Sequence, residues 1–110
     1  MSEQQWQVIT PHEVQEKLKY TSKTQFIDVR EAEEYAAGHI GGTKHIPLSE
    51  LAQRANEIKP NEEVVCICRS GNRSAKACEF LVSIGYTNVK NMIGGILEWN
   101  GKPLRKTNWG

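Results

Sequence analysis

Cysteine is scarce in this 110-residue chain, with three in all, an odd number. Their spacing is not that of a secreted disulfide framework, which argues against a stapled extracellular module. Long apolar runs are missing too: no window approaches the roughly 20 apolar residues of a membrane-crossing helix. The first residues, Met1-Ser2-Glu3-Gln4-Gln5, lack the basic-then-apolar order of a secretory signal, which points to the cytoplasm. Neither sign of charge is in excess. The formal net charge is +1, so composition gives no reason to expect nucleic acid or an anionic membrane as partner. Repeats, low-complexity tracts and linkers are absent, and the length suits one domain with a single core.

What is present alternates between strand and helix signals, which implies an α/β fold with a mostly parallel sheet. Residues 6–9 read as a first strand. Thr10-Pro11-His12-Glu13 is a helix start, with Thr10 as N-cap, Pro11 at the first helical position and Glu13 closing a capping box. Val14 and Leu18 mark that helix's inner face. Residues 24–29 form the second strand, with Asp28 and Arg30 at its C-terminal end. Both read as scaffold, because charged groups are rarely buried without partners. Asp28 is expected to bond neighbouring loops, and Arg30 to pair with a carboxylate such as Glu34. Residues 31–37 read as a short acidic helix capped by Gly38, its glutamates placed where a helix N-terminus favours negative charge.

A brief third strand follows, near His45-Ile46-Pro47. Neither His39 nor His45 has a cysteine or carboxylate at ligand spacing, and His12 stands alone, so no metal site is expected. Residues 48–58 read as a helix with Leu51, Ala55 and Ile58 inward, and residues 88–92 as the last strand. Gly94-Gly95 opens a turn towards Trp99, an apolar anchor. The polar tail, residues 102–110, is expected to be partly mobile.

Residues 64–74 organise the rest. Val64-Val65-Cys66-Ile67 has the β-branched, apolar character of a buried strand. The chain then turns polar, and Gly71 and Asn72 best tolerate positive φ. A helix is expected to follow Ser74, beginning about six residues after Cys68. The loop between can converge its N–H groups on one point, beside a helix N-terminus, and such a place favours anions. A cysteine aimed into it is expected to be largely thiolate. Arg69, Arg73 and Lys76 put three cations at the helix end where cations are disfavoured by about 0.3–1 kcal/mol each. An anionic occupant would account for them. Cys66 and Cys78 read as core residues, free cysteine being commonly buried, although Cys66 lies near enough in sequence for a resolving role.

The loop Cys68-Arg69-Ser70-Gly71-Asn72-Arg73-Ser74 resembles the active-site loop of the rhodanese-like sulfurtransferases. Three more segments match that family in order. They are Ile27-Asp28-Val29-Arg30-Glu31 with Glu34, then Gly38-His39-Ile40 with Ile46-Pro47, and Gly94-Gly95 with Trp99. The departures, Gly41-Gly42-Thr43 in place of a proline-containing turn and His45 where asparagine is common, lie outside the loop. The resemblance implies one rhodanese-like domain over residues 1–110, with its core at about 6–101. It implies a five-stranded parallel sheet flanked by helices on both faces, the active loop joining the central strand to its helix.

It also implies chemistry. Cys68 would be the nucleophile, and Arg69, Ser70, Gly71, Asn72, Arg73 and Ser74 would bind the substrate. Asp28 and Arg30 would support the fold, and no cofactor would be needed. Sulfane sulfur would pass from a small anionic donor such as thiosulfate, or from a protein persulfide, through a Cys68 persulfide to cyanide or a thiol. Basic loops in the family tend to go with thiosulfate. Two alternatives stand beside this. A phosphatase or arsenate reductase of related fold needs a Cys-x5-Arg loop, whereas here Arg73 follows Cys68 after only four residues. A non-catalytic binding module would often lack the cysteine.

Overall fold

The computed structural model describes residues 5–20 and 23–107. Five strands form one sheet: β1 (Gln7–Ile9), β2 (Gln25–Asp28), β3 (Lys44–His45), β4 (Val64–Ile67) and β5 (Val89–Met92). Their spatial order is β1-β5-β4-β2-β3 and every pairing is parallel. β4 is therefore the central strand, hydrogen-bonded on both edges, and all four of its residues are buried. A parallel strand covered on both faces needs apolar side chains on both, as Val64-Val65-Cys66-Ile67 provides.

Alternation along the strands divides the core in two. Val64, Cys66 and Cys68 join Ile27, Val29 and Val89 on one face, under Leu51, Ala77, Cys78 and Leu81. Val65 and Ile67 join Ile9, Phe26 and Met92 on the other, under Val14, with Leu18, Trp99 and Leu104 packed at its margin.

The helices are α1 (Pro11–Lys19), α2 (Ala32–Ala37), α3 (Leu51–Arg54) and α4 (Asn72–Ser83). The capping box of α1 forms as its sequence predicts: Glu13 N–H donates to Thr10 Oγ1 at 3.1 Å, and Thr10 N–H to Glu13 Oε1 at 2.9 Å. α2 starts one residue later than expected, because Glu31 is its N-cap. Gly38 does follow it, but with φ 167, extended backbone open to any residue. What limits Gly38 is space, since a Cβ would lie 3.3 Å from Leu104.

Residues 48–58 differ from the continuous helix expected. Only α3 is α-helical, between 3-10 turns at Leu48–Glu50 and Ala55–Glu57. Leu51, Ala55 and Ile58 are nevertheless buried, as their spacing requires. The tighter C-terminal turn directs its carbonyls inward, where the Tyr86 hydroxyl sits 2.8 Å from Ala55 O and 2.6 Å from Ile58 O.

The tail also differs from expectation. Arg105 pairs antiparallel with His39 through two backbone bonds of 2.7 and 2.8 Å, and Thr107 N–H reaches Ala36 O at 3.0 Å. Leu104 packs into the core margin. As far as Thr107 this polar stretch has backbone partners that its side chains do not reveal. Residues 108–110 lie outside the described residues.

Candidate active site

α4 begins at Asn72, four residues after Cys68, two residues earlier than the sequence suggests. The early start depends on Gly71, whose φ of +106 only glycine adopts without strain. The loop is therefore Arg69-Ser70-Gly71, and Asn72, Arg73 and Ser74 form the first turn of α4. The chain folds back on the end of its own strand, and N–H groups of the loop and of the helix's first turn face Cys68.

Cys68 is 1% exposed. Gly71 N–H donates to its Sγ at 3.0 Å and the Ser74 hydroxyl at 3.3 Å. The N–H groups of Ser70 and Ser74 also favour the charged sulfur. Burial pushes the Cys68 thiol up. The Ser74 hydroxyl and the N–H groups of Ser74, Gly71 and Ser70 outweigh it, holding the thiol below its ordinary value. These donors favour the thiolate form without a neighbouring base.

The cations divide. Arg73 is engaged by protein: its Nη1 and Nη2 donate to both carboxylate oxygens of Glu34 at 2.7 and 2.8 Å. Arg73 brings Glu34 down to about 2 and is itself raised by it. The anion in its fork is thus a side chain of α2. Arg69 and Lys76 are exposed and have no carboxylate partner among the described residues. Ser70 and Asn72 are exposed at the mouth, with no side-chain bond to Cys68.

Asp28 and Arg30 take scaffold positions, with one correction. Arg30 does not pair with Glu34. Its Nε and Nη2 donate to Asp28 at 3.0 and 2.9 Å, and Nη2 also to Gly38 O at 2.7 Å. Arg30 follows Asp28 by two residues and shares its face, while Glu34 is already occupied by Arg73. Asp28 Oδ1 further accepts the Arg30 N–H at 3.0 Å.

His39 and His45 sandwich the ring of Tyr35, with centroids 3.8 and 4.4 Å away. Their ring nitrogens meet backbone oxygens of Tyr35 and Arg30, each at 2.7 Å. Among the described residues no cluster of three or more histidine, cysteine, aspartate or glutamate side chains is placed to hold a metal. Cys66 and Cys78 are fully buried. The neighbouring Cys78 thiol and burial push the Cys66 thiol well up.

Two contributors escape a reading of the sequence. Asn91 on β5 donates from Nδ2 to Gly71 O at 3.0 Å and accepts the Ser74 hydroxyl proton on Oδ1. The available signal was an uncharged polar residue between Lys90 and Met92 in a short strand, and it is a weak one. Gly95 carries φ +61 and sits against the active loop, where a Cβ would come within 2.4 Å of Arg69 O and 2.5 Å of Cys68 O.

Comparison with known proteins agrees with this geometry. Residues 10–102 match the family model of the rhodanese-like domain. A sulfurtransferase of Allochromatium vinosum is 35% identical over 98 residues, covering 87% of this chain and 92% of the relative. The crystal structure of a rhodanese-like domain protein from Staphylococcus aureus superposes with a TM-score of 0.85 at 33% identity, over 93% of this chain and 99% of the other. The candidate sulfur carrier protein YrkF of Bacillus subtilis is 41% identical over 87 residues, 79% of this chain. The chain spans 47% of the length of that relative, and 64% of a second Bacillus subtilis protein that is 45% identical over 80 residues. With its sulfur-cradling loop on the central strand of a five-stranded parallel sheet, the chain belongs to the rhodanese-like domain family.

Proposed function

We propose that the protein is a sulfurtransferase that carries sulfane sulfur as a persulfide on Cys68. The observation that supports this most is the convergence of backbone N–H groups and the Ser74 hydroxyl on one buried sulfur. The Cys68 thiolate attacks the outer sulfur of a donor such as thiosulfate. A new S–S bond forms, the donor S–S bond breaks, and sulfite leaves with the electron pair. The outer sulfur of the persulfide carries the negative charge, and the same N–H groups stabilise it as an oxyanion hole stabilises oxygen. Cyanide or a thiol then attacks that outer sulfur, and Cys68 leaves as thiolate. The cycle is covalent and ping-pong. Arg69 and Lys76, cationic and without a carboxylate partner among the described residues, draw an anionic donor towards Cys68.

The donor could equally be a protein persulfide, a reading in keeping with the sulfur carrier among the relatives. A nucleophilic thiolate suits a reducing compartment such as the cytoplasm. The phosphatase alternative loses support: such a loop needs a free arginine to clasp a tetrahedral oxyanion, and Glu34 fills Arg73's fork. A binding module has no use for a thiol held ready to ionise.

The test is intact mass without reductant after incubation with thiosulfate, beside Cys68→Ser. The wild type should gain one sulfur and the variant none. Gain only from a cysteine desulfurase would identify a protein-fed relay. No gain from either would sink the sulfur chemistry and favour the binding module.

A further inference from the structure

Asparagine is depleted in strands, and a strand paired on both edges has little use for it. Asn91 nevertheless sits in β5, between β1 and β4, at 5% exposure. Its amide spends all its bonding on the active loop. Nδ2 donates to Gly71 O at 3.0 Å, and Oδ1 accepts from the Ser74 hydroxyl. The orientation follows from the partners, because the Gly71 carbonyl can only accept and so must face the amide nitrogen.

Gly71 and Ser74 are also the two residues whose N–H and O–H reach Cys68 Sγ, at 3.0 and 3.3 Å. Among the described residues, Cys68 and Asn91 are the side chains that bond both. The Ser74 hydroxyl has one proton and two acceptors, Sγ and Asn91 Oδ1. A full negative charge on sulfur attracts that proton more strongly than a neutral amide oxygen. Asn91 Oδ1 therefore holds the hydroxyl beside the sulfur while the thiol is neutral, and the hydroxyl turns its O–H towards Sγ once the sulfur is charged.

We propose that Asn91 is a positioning residue for the sulfur chemistry, clamping Gly71 and Ser74 from the neighbouring strand so that both donors converge on Cys68. This rests on Cys68 being the sulfur-carrying nucleophile. Other charged and titratable groups near Cys68 lie elsewhere. Arg73 of α4 is paired with Glu34 of α2, Arg69 follows in the loop, Cys66 lies on β4, and Asp28 is closed on Arg30 beyond β2. An uncharged substitution at Asn91 leaves all of them in place, so the titration of Cys68 reads the donors.

The experiment is the pH dependence of Cys68 alkylation by iodoacetamide, mapped by peptide mass. Asn91→Leu and Asn91→Ala should each raise the midpoint by about one pH unit, equivalent to about tenfold less thiolate below both midpoints. Ser74→Ala should raise it as well. The Ser74→Ala/Asn91→Leu pair should shift it by less than the sum, since part of Asn91's effect passes through Ser74. An unchanged midpoint in either folded Asn91 variant overturns the proposal. So does a lowered one, which would make Asn91 a competitor for the hydroxyl proton. Should neither variant fold, amide exchange at Gly71 in the wild type decides: protection is expected, and exchange at the rate of an open peptide overturns it. The readout contains no sulfur donor, so its failure and a failure of Cys68 to take up sulfur are separate results.

Discussion

Asp28 and Arg30 are 0% and 5% exposed, so both charges have left water and depend on each other. A pair in this position adds little beyond an apolar substitute, but removing one partner strands the other and costs about 3–5 kcal/mol. Asp28→Ala is therefore expected to lose about 3–5 kcal/mol in urea unfolding, while Asp28→Leu combined with Arg30→Met loses clearly less. Equal losses would show that shape, not charge, is what matters there. The sequence made this pair legible only in part. It marked both residues as scaffold but could not say which carboxylate Arg30 would meet, because Glu34 and Asp28 are both near in sequence and only the fold assigns Glu34 to Arg73. Cys68 and Gly71 were legible because their chemistry and backbone needs are local. Asn91 was not, because its role is played on another segment.

One short element settles the loop after Cys68 from outside it. The turn after β5 places Ile96 N–H on Cys68 O at 2.9 Å and Leu97 N–H on Arg69 O at 3.1 Å. Gly95 permits that approach. In Gly95→Ala the added methyl would meet backbone, which cannot swing aside as a side chain can. The expected outcome is a displaced Cys68–Arg69 segment, with slower alkylation of Cys68 and a lower melting temperature; unchanged alkylation would show that the loop holds itself. At the other end of the chain, α1 depends on its cap. Thr10→Ala should cost about 1 kcal/mol in urea unfolding without altering Cys68 alkylation, because the bonds of the capping box run between Thr10 and Glu13 alone. The capping box was readable letter by letter. The breaking of residues 48–58 into 3-10 and α turns was not, since the apolar spacing of Leu51, Ala55 and Ile58 suits either.

Across the molecule, one carboxylate ties several segments together. Glu63 precedes β4 and accepts from Lys17 of α1 at 2.9 Å, from Lys90 of β5, and from Thr24 before β2 at 2.6 Å. Burial alone would raise Glu63, but its bonds to Lys90, Thr24 and Lys17 bring it down to about 2 from an ordinary 4.5. A carboxyl depressed by folding stabilises fully above its unfolded value, and that stability drains away as pH falls through the folded one. Stability should thus decline between pH 4.5 and about 2. Glu63→Gln should be less stable than wild type at neutral pH and show a flatter decline, as read from melting temperature against pH. Truncation after Gly101 is a second test at this level. It removes Leu104 from the core margin and the strap that pairs with His39, and should lower the unfolding midpoint; no change would restore the picture of a loose tail.

The sequence by itself determined the strand-helix alternation, the apolar central strand, the cap of α1 and the glycine turn that follows Cys68. Each of these depends on local periodicity or on what one residue's backbone allows. Tertiary structure alone decided the strand order that centres β4, the pairing of Arg73 with Glu34, the anchoring of the tail and the reach of Asn91 to the loop. Those depend on which segments the fold brings together. A side chain cannot announce a partner 17 residues away that only the sheet sets beside it.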